Sequence, residues 1–236
     1  MKDRFENQTM GRTSERTLAF DAGLRAYMIK VYNYMALGLG LTGGVAFATA
    51  TSPAILQAIL PMMWLFIFAP VGLVFFLSFR INKISFSTAQ TVFWLYAALN
   101  GVAFSTLFLA YTGDSIARVF FITAGTFAAM SLYGYTTQRD LSGMRSFLFM
   151  GLIGILIASL VNLFVGSSTF QFMISIIGVI LFTGLTAYDT QTIKEGYVQG
   201  LDAEATGKKA IFGALQLYLD FINLFIMLLR LLGDRR

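Results

Sequence analysis

The sequence predicts an all-α, polytopic membrane protein with seven transmembrane helices. Three observations lead there. Of 236 residues, 57% are hydrophobic and 12% charged, against about 25% charged in ordinary soluble domains. Mean hydropathy is +0.72. The apolar residues fall in runs of the length that crosses a hydrocarbon core, ~20 residues, without the alternation of a strand. Lipid leaves the backbone only helices or closed barrels as ways to satisfy its polar groups, and runs of this kind select helices.

The spans are expected at 28–50, 54–79, 88–111, 116–137, 146–165, 170–193 and 210–232. Ser52-Pro53 separates the first two, and the second, holding Pro61 and Pro70, is kinked or starts late. RINKIS from Arg80 to Ser85 breaks the second from the third, and TGDS from Thr112 to Ser115 is a turn. TQRDLSGMR from Thr137 to Arg145 is a charged loop, VGSST from Val165 to Thr169 a short turn, and Lys194 to Lys209 the longest polar linker. This divides the chain into a polar cytoplasmic tail over 1–26, partly disordered or a partner-docking segment, a transmembrane domain over 27–232 and a short tail over 233–236. The first 26 residues carry no apolar run of the signal-peptide kind.

Basic residues orient the bundle. With the N-terminus in the cytoplasm, Arg25, Lys30, Arg80, Lys83, Arg139, Arg145, Lys194, Lys208 and Lys209 lie on the cytoplasmic side, and Arg118 stands alone in the opposite inter-helix loops. Arg230, Arg235 and Arg236 break this pattern if the seventh segment crosses fully; a re-entrant seventh segment would restore it. A full crossing is the favoured expectation. The net charge of +5 is thereby accounted for by membrane topology and does not indicate a nucleic-acid partner.

Cysteine and histidine are both absent. That excludes a disulfide framework, a zinc site of the usual kind, a cysteine nucleophile and a histidine pH switch. No phosphate-cradling glycine loop, nucleophile elbow or HExxH pattern is present, so enzyme activity is not expected. Gly40 and Gly44 form a G-x-x-x-G pair, and Gly151 and Gly154 share a side of the fifth span; helix packing is the expected role. Asn33, Asn100 and Asn162 read as helix-joining amides, and Trp64, Trp94, Tyr27, Tyr32 and Tyr34 as interface anchors.

Asp189 in GLTAYDTQTIKE and Asp220 in LYLDFINLF are the two carboxylates inside spans. A charged carboxylate at the bilayer centre costs ~2.5–3.5 kcal/mol on insertion scales, so Asp220 needs a partner, a proton, an ion or water. It lies about ten residues into the seventh span, ~15 Å along it, while Asp189 is near the inner end of the sixth. The two meet if the sixth helix extends through Ile193. Gln216, Asp220, Asn223 and Met227 share one helical face, as do Thr183, Thr186, Asp189 and Thr190. Two facing carboxyls cannot both ionise cheaply and titrate as a unit. Three readings follow: a lock between two helices, a proton or cation pathway, or a divalent-cation site. Calcium takes 6–8 oxygen ligands, which two carboxylates with Asn223, hydroxyls, carbonyls and water would supply.

LQLYLDFINLFIMLLRLLG, with GLTAYDTQTIK before it, resembles the C-terminal signature of the Bax inhibitor-1 family in a bacterial form. LSFRINKIS followed by YAALNGVAFS resembles its second-to-third-helix region. The similarity runs from about Tyr27 to Leu232. It implies seven helices with the last one central and six around it, in a bacterial inner membrane. It also implies a pH-sensitive calcium leak whose di-aspartyl sensor maps onto Asp189 and Asp220. A family arginine that pairs with the sixth-helix aspartate falls on Arg80, with Lys83 as rival and a plain positive-inside residue as the other reading of Arg80. Thr186, Gln216 and Asn223 are the expected supporting seam.

The expected partners are thus the lipid bilayer, calcium ions, protons and a candidate membrane-protein partner. No cofactor is required, and calcium is the transported or bound ion, with Asp189 and Asp220 as its candidate ligands. Two other functions stay open. One is a non-enzymatic regulator that binds a membrane protease or quality-control complex. The other is a cation/proton antiporter, disfavoured because no inverted repeat is visible.

Overall fold

In the computed structural model, residues 20–236 are described with their side chains and the backbone from Lys2; the tail expected over 1–26 lies mostly outside the fully described range. Among the described residues, seven helical segments are long and apolar enough to cross a membrane. The first is α1 (Lys2–Thr51), whose apolar part is Phe20–Thr51. The second is broken, as its prolines require: α2 (Pro53–Ile59), a 3-10 turn at Leu60–Met62 holding Pro61, then α3 (Met63–Arg80). Then come α4 (Phe86–Ala110), α5 (Gly113–Thr136), a 3-10 turn at Ser142–Met144 leading into α6 (Arg145–Val165), α7 (Ser168–Glu195) and α8 (Ala203–Leu232). Among the described residues there is no strand, only an isolated bridge between Tyr111 and Arg235.

Local chemistry sets the helix ends. Ser85, Thr112, Ser167 and Asp202 each accept a hydrogen bond from a backbone N–H of the first turn, satisfying donors that helical geometry leaves orphaned. Gly166, at φ 67°, closes α6 in the left-handed conformation that suits glycine. The Asp202 cap corrects the expected linker. Residues 203–209 form the first turns of α8 and α7 runs on to Glu195, so the polar connection shrinks to 196–202.

α8 is the axis of the bundle. Its buried residues run from Gly207 to Leu229, and it packs against α1, α4, α5 and α7. The other two spans sit outside: α3 reaches the bundle through α4, and α6 through α7. The centre is therefore enclosed by four helices rather than six. Tyr218 joins α8 to α1 and α4. Its hydroxyl pairs with that of Thr42 at 2.7 Å, Thr42 also donates to Ala97 O, and the ring stands edge-on to Phe93 and Tyr96. Phe221 and Phe225 join α8 to Phe120 and Phe127 of α5.

Small residues do not all act as expected. Gly151 lets Leu181 of α7 approach α6. Gly154, and the Gly40 and Gly44 pair, face open space and pack against no helix. The closest backbone approaches use other glycines. A Cβ at Gly101 would meet Thr42 O, and one at Gly134 would collide with the backbone of Ala187. Tyr27 is buried against Tyr197, and Tyr32 bonds Ser131. Neither is a free interface anchor. Asn162 ties the α6–α7 turn through Gln171 and Ser167, whereas Asn100 bonds its own helix.

The tail shows that α8 crosses fully. Thr112 donates to Asp234 O, Arg236 to Ala110 O, Asp234 N–H to the Ser115 hydroxyl, and Arg118 pairs with Asp234. The C-terminus thus lies beside the α4–α5 turn. At the opposite end Lys208 donates to Ile84 O, Lys209 to Gly196 O, and Lys194 to Tyr135 O.

Gly134→Ala is expected to lower the melting temperature of the detergent-solubilised protein, because backbone cannot yield cheaply; overpacking costs about 1–3 kcal/mol. Gly154→Ala, with free space at its Cβ, should leave it unchanged or raise it slightly. Equal effects of the two would show that α5 and α7 are not held at this distance.

Candidate functional site

The α7–α8 interface brings Asp189 and Asp220 together. α7 extends past Ile193, so Asp189 sits within the helix rather than at its frayed end, at the depth of Asp220 on α8. The two carboxyl groups lie within hydrogen-bonding reach of one another. Asp220 is 4% exposed, and its Oδ2 is buried with no hydrogen-bond partner. Neither aspartate has a salt bridge among the described residues. Two carboxylate oxygens have no donor between them, so a hydrogen bond across the pair requires a shared proton. A cation between them answers the same demand.

The surrounding residues divide. Thr186 is fully buried on the same face of α7, but its hydroxyl donates to Phe182 O in its own helix. Asn223 is half-buried and its amide donates to Leu219 O. Gln216, one turn before Asp220, lines a vestibule of about 490 Å³ at the end of the bundle, together with Asn82, Thr192, Lys208 and Lys209. Asp220 is therefore one helical turn from a cavity of mixed polar and apolar lining.

Arg80 is exposed at the end of α3, a helix that packs mainly against α4, and it makes no ion pair with either aspartate. Lys83 is exposed as well. The structure does not bring a basic partner from this loop to the pair.

A chain of hydroxyls next to Asp189 escaped the sequence reading. Tyr32 OH meets Ser131 Oγ at 2.5 Å, Ser131 meets Thr190 Oγ1 at 2.9 Å, and Thr190 donates to Thr186 O. It crosses α1, α5 and α7. Thr190 shares a face with Asp189 and was visible in the pattern, but nothing local connects Tyr32 to Ser131, 99 residues away. Gln191 was also missed. Its side chain accepts from Leu141 N–H and donates to Arg139 O, clamping the α5–α6 loop onto α7.

As a metal site the pair is incomplete by itself. Calcium wants 6–8 oxygens, two carboxylates supply at most four, and no group of three or more His, Cys, Asp or Glu occurs among the described residues. A calcium ion between Asp189 and Asp220 would keep part of its water shell.

Asp189→Asn and Asp220→Asn should be non-additive in stability if the carboxyls meet. A coupling energy of about 0.5–3 kcal/mol is expected from a double-mutant cycle read by thermal melting at one pH. Additive single effects would separate the two side chains.

Comparison with known proteins places this geometry in a family. The pattern of the family described as "Inhibitor of apoptosis-promoting Bax1" matches residues 24–236. An uncharacterized protein of Rickettsia prowazekii is 50% identical over 95% of this chain and 96% of its own length. The inner membrane protein YbhL of Escherichia coli K12 is 49% identical over 91% of this chain and 94% of its own. A Deinococcus radiodurans protein is 41% identical over 97% of both.

Proposed function

The chain belongs to the Bax inhibitor-1 family, and from that premise we propose that it is a pH-sensitive calcium leak channel of a bacterial inner membrane, gated by protonation of Asp189 and Asp220. The observation that carries this reading is the acid pair itself, Asp220 buried on the central helix and Asp189 half-buried on α7, with no basic side chain ion-paired to either among the described residues. Ionisable groups inside a membrane are rare and mark ion or proton pathways.

With one proton between them, the two carboxyls hold α7 against α8 by a hydrogen bond. With both ionised they repel each other and attract a cation. Each charge state favours a different packing of the two helices. Because Asp220 is 4% exposed here, ion passage requires α7 and α8 to move apart. The vestibule at Gln216 offers calcium and protons a route to within a turn of the pair. The outer helices α3 and α6 do not touch α8 along their length, so rearrangement at the axis leaves them docked on α4 and α7.

The topology supports an N-terminus in the cytoplasm. The end of the bundle with the vestibule carries Arg25, Lys83, Arg139, Lys194, Lys208 and Lys209, and the opposite end Arg118, Arg235 and Arg236. That asymmetry follows the positive-inside rule.

Calcium flux into proteoliposomes between about pH 5 and about pH 8 tests the proposal. The parent should show pH-dependent flux, and Asp189→Asn and Asp220→Asn should each flatten it. Arg80→Gln, at a residue ion-paired to neither aspartate, should keep the parent profile. Unchanged profiles in both aspartate variants would sink the gating mechanism. Folded protein with no flux at any pH would favour a non-enzymatic regulator of another membrane protein.

A further inference from the structure

A large cavity lies between α1 and α5, and neither aspartate of the pair lines it. α1 and α5 both flank α8 but do not pack along one another, and the space between them is a groove of about 1080 Å³. Its lining is almost wholly apolar, with Phe127 and Phe221 among the walls. Gly40, Gly43 and Gly44 line it from α1, and a Cβ at any of the three would meet nothing. A G-x-x-x-G helix face ordinarily receives another helix; here it opens onto a groove at membrane depth.

The groove is not apolar throughout. Arg25, exposed, stands at its inner end. Tyr135 lines the same end, and Lys194 donates to Tyr135 O at 2.8 Å with its Nζ 5.4 Å from the ring centroid. Arg25 is therefore the one charged residue in the lining of a long apolar slot, with Lys194 held behind Tyr135 at the same end. Along α5 the lining runs from Phe120 to Tyr135, ~22 Å at 1.5 Å per residue. One leaflet with its headgroups is about 20–22 Å thick.

We propose that the α1–α5 groove is a binding site for an anionic phospholipid, with an acyl chain along Gly40, Gly43 and Gly44 and its phosphate at Arg25. An apolar groove in a bilayer is filled by hydrocarbon at no hydrophobic cost. The guanidinium adds a charge-assisted, two-point contact that a phosphate matches and a neutral tail does not. Length, apolar walls and charge at one end together describe a lipid of the inner leaflet. The Ser131 hydroxyl, on the groove wall, bonds Thr190 beside Asp189, so an occupied groove would press on the wall of the acid pair. The lipid site does not rest on the channel reading, and its test has no flux in it.

The full chain in detergent would be titrated with phosphatidylglycerol and with phosphatidylcholine of identical acyl chains, and bound lipid read by native mass spectrometry. The parent should retain phosphatidylglycerol at about fivefold lower lipid concentration than phosphatidylcholine, as one well-placed cation allows. Arg25→Gln should bring that preference to about twofold or less. Gly43→Leu, filling the slot, should weaken retention of both lipids, while Gly154→Leu on the outer face of α6 should change neither. Equal retention of the two lipids by the parent, or an undiminished preference in Arg25→Gln, would overturn the proposal. So would a dimer mass in the parent that Gly43→Leu abolishes, since a second copy would then fill the groove. Arg25 is exposed, so its variant keeps the test decisive even if Gly43→Leu fails to fold.

Discussion

A carboxyl group in the middle of an apolar helix has to be answered from within the protein, and that constraint organises this molecule. Leaving Asp220 against lipid would cost ~2.5–3.5 kcal/mol even on the gentlest scales. The fold instead places α8 at the axis and turns Asp220 onto α7, where Asp189 meets it. The partner is another acid rather than a base. An acid–base pair would be settled in one charge state over a wide pH range. Two acids within hydrogen-bonding reach change their charge, and with it their attraction for each other, when a proton leaves.

The packing around that pair is unequal. On one side of α8, Tyr218, Thr42 and Ala97 form a closed hydrogen-bond set within an aromatic cluster, and Gly101 brings α4 close to α1. At its far end the tail is tied to the α4–α5 turn by backbone bonds and by Arg118 with Asp234, an exposed pair that contributes little by itself. On the other side α8 faces α7 through two carboxyls and a buried oxygen without a partner. Asp220 Oδ2 is one of two buried side-chain polar atoms without a partner among the described residues, the other being Gln171 Nε2 near the start of α7. In the low dielectric of the interior, a buried polar atom without a partner is costly.

The hydroxyl chain from Tyr32 through Ser131 to Thr190 links the membrane-facing groove to the neighbourhood of Asp189. It gives α5 a polar contact with α7 one residue from the acid, close to the glycine-backbone contact of Gly134 with Ala187. Helices held by short-range steric and polar contact transmit displacement better than helices separated by flexible side chains. Ser131, on the groove wall, is thereby one hydrogen bond from Thr190, the residue after Asp189.

Composition and run length determined the class, the seven spans and the two intramembrane acids, because lipid penalises every unpaired backbone group and every buried charge in a way that each segment must satisfy locally. Helix breaks at Pro61, Ser85, Thr112 and Ser167 were legible for the same reason. The sequence signature of the sixth and seventh spans also pointed to Asp189 and Asp220 as one site. Which helices would touch was not legible. The placing of α3 and α6 outside the central ring, the lack of an ion pair between Arg80 and either aspartate, the exposure of Gly40 and Gly44, and the bond from Tyr32 to Ser131 all depend on contacts between residues far apart in the chain. An apolar residue facing lipid and one facing another helix look alike in sequence, since hydrocarbon and protein interior are equally dry, and only the tertiary packing distinguishes them.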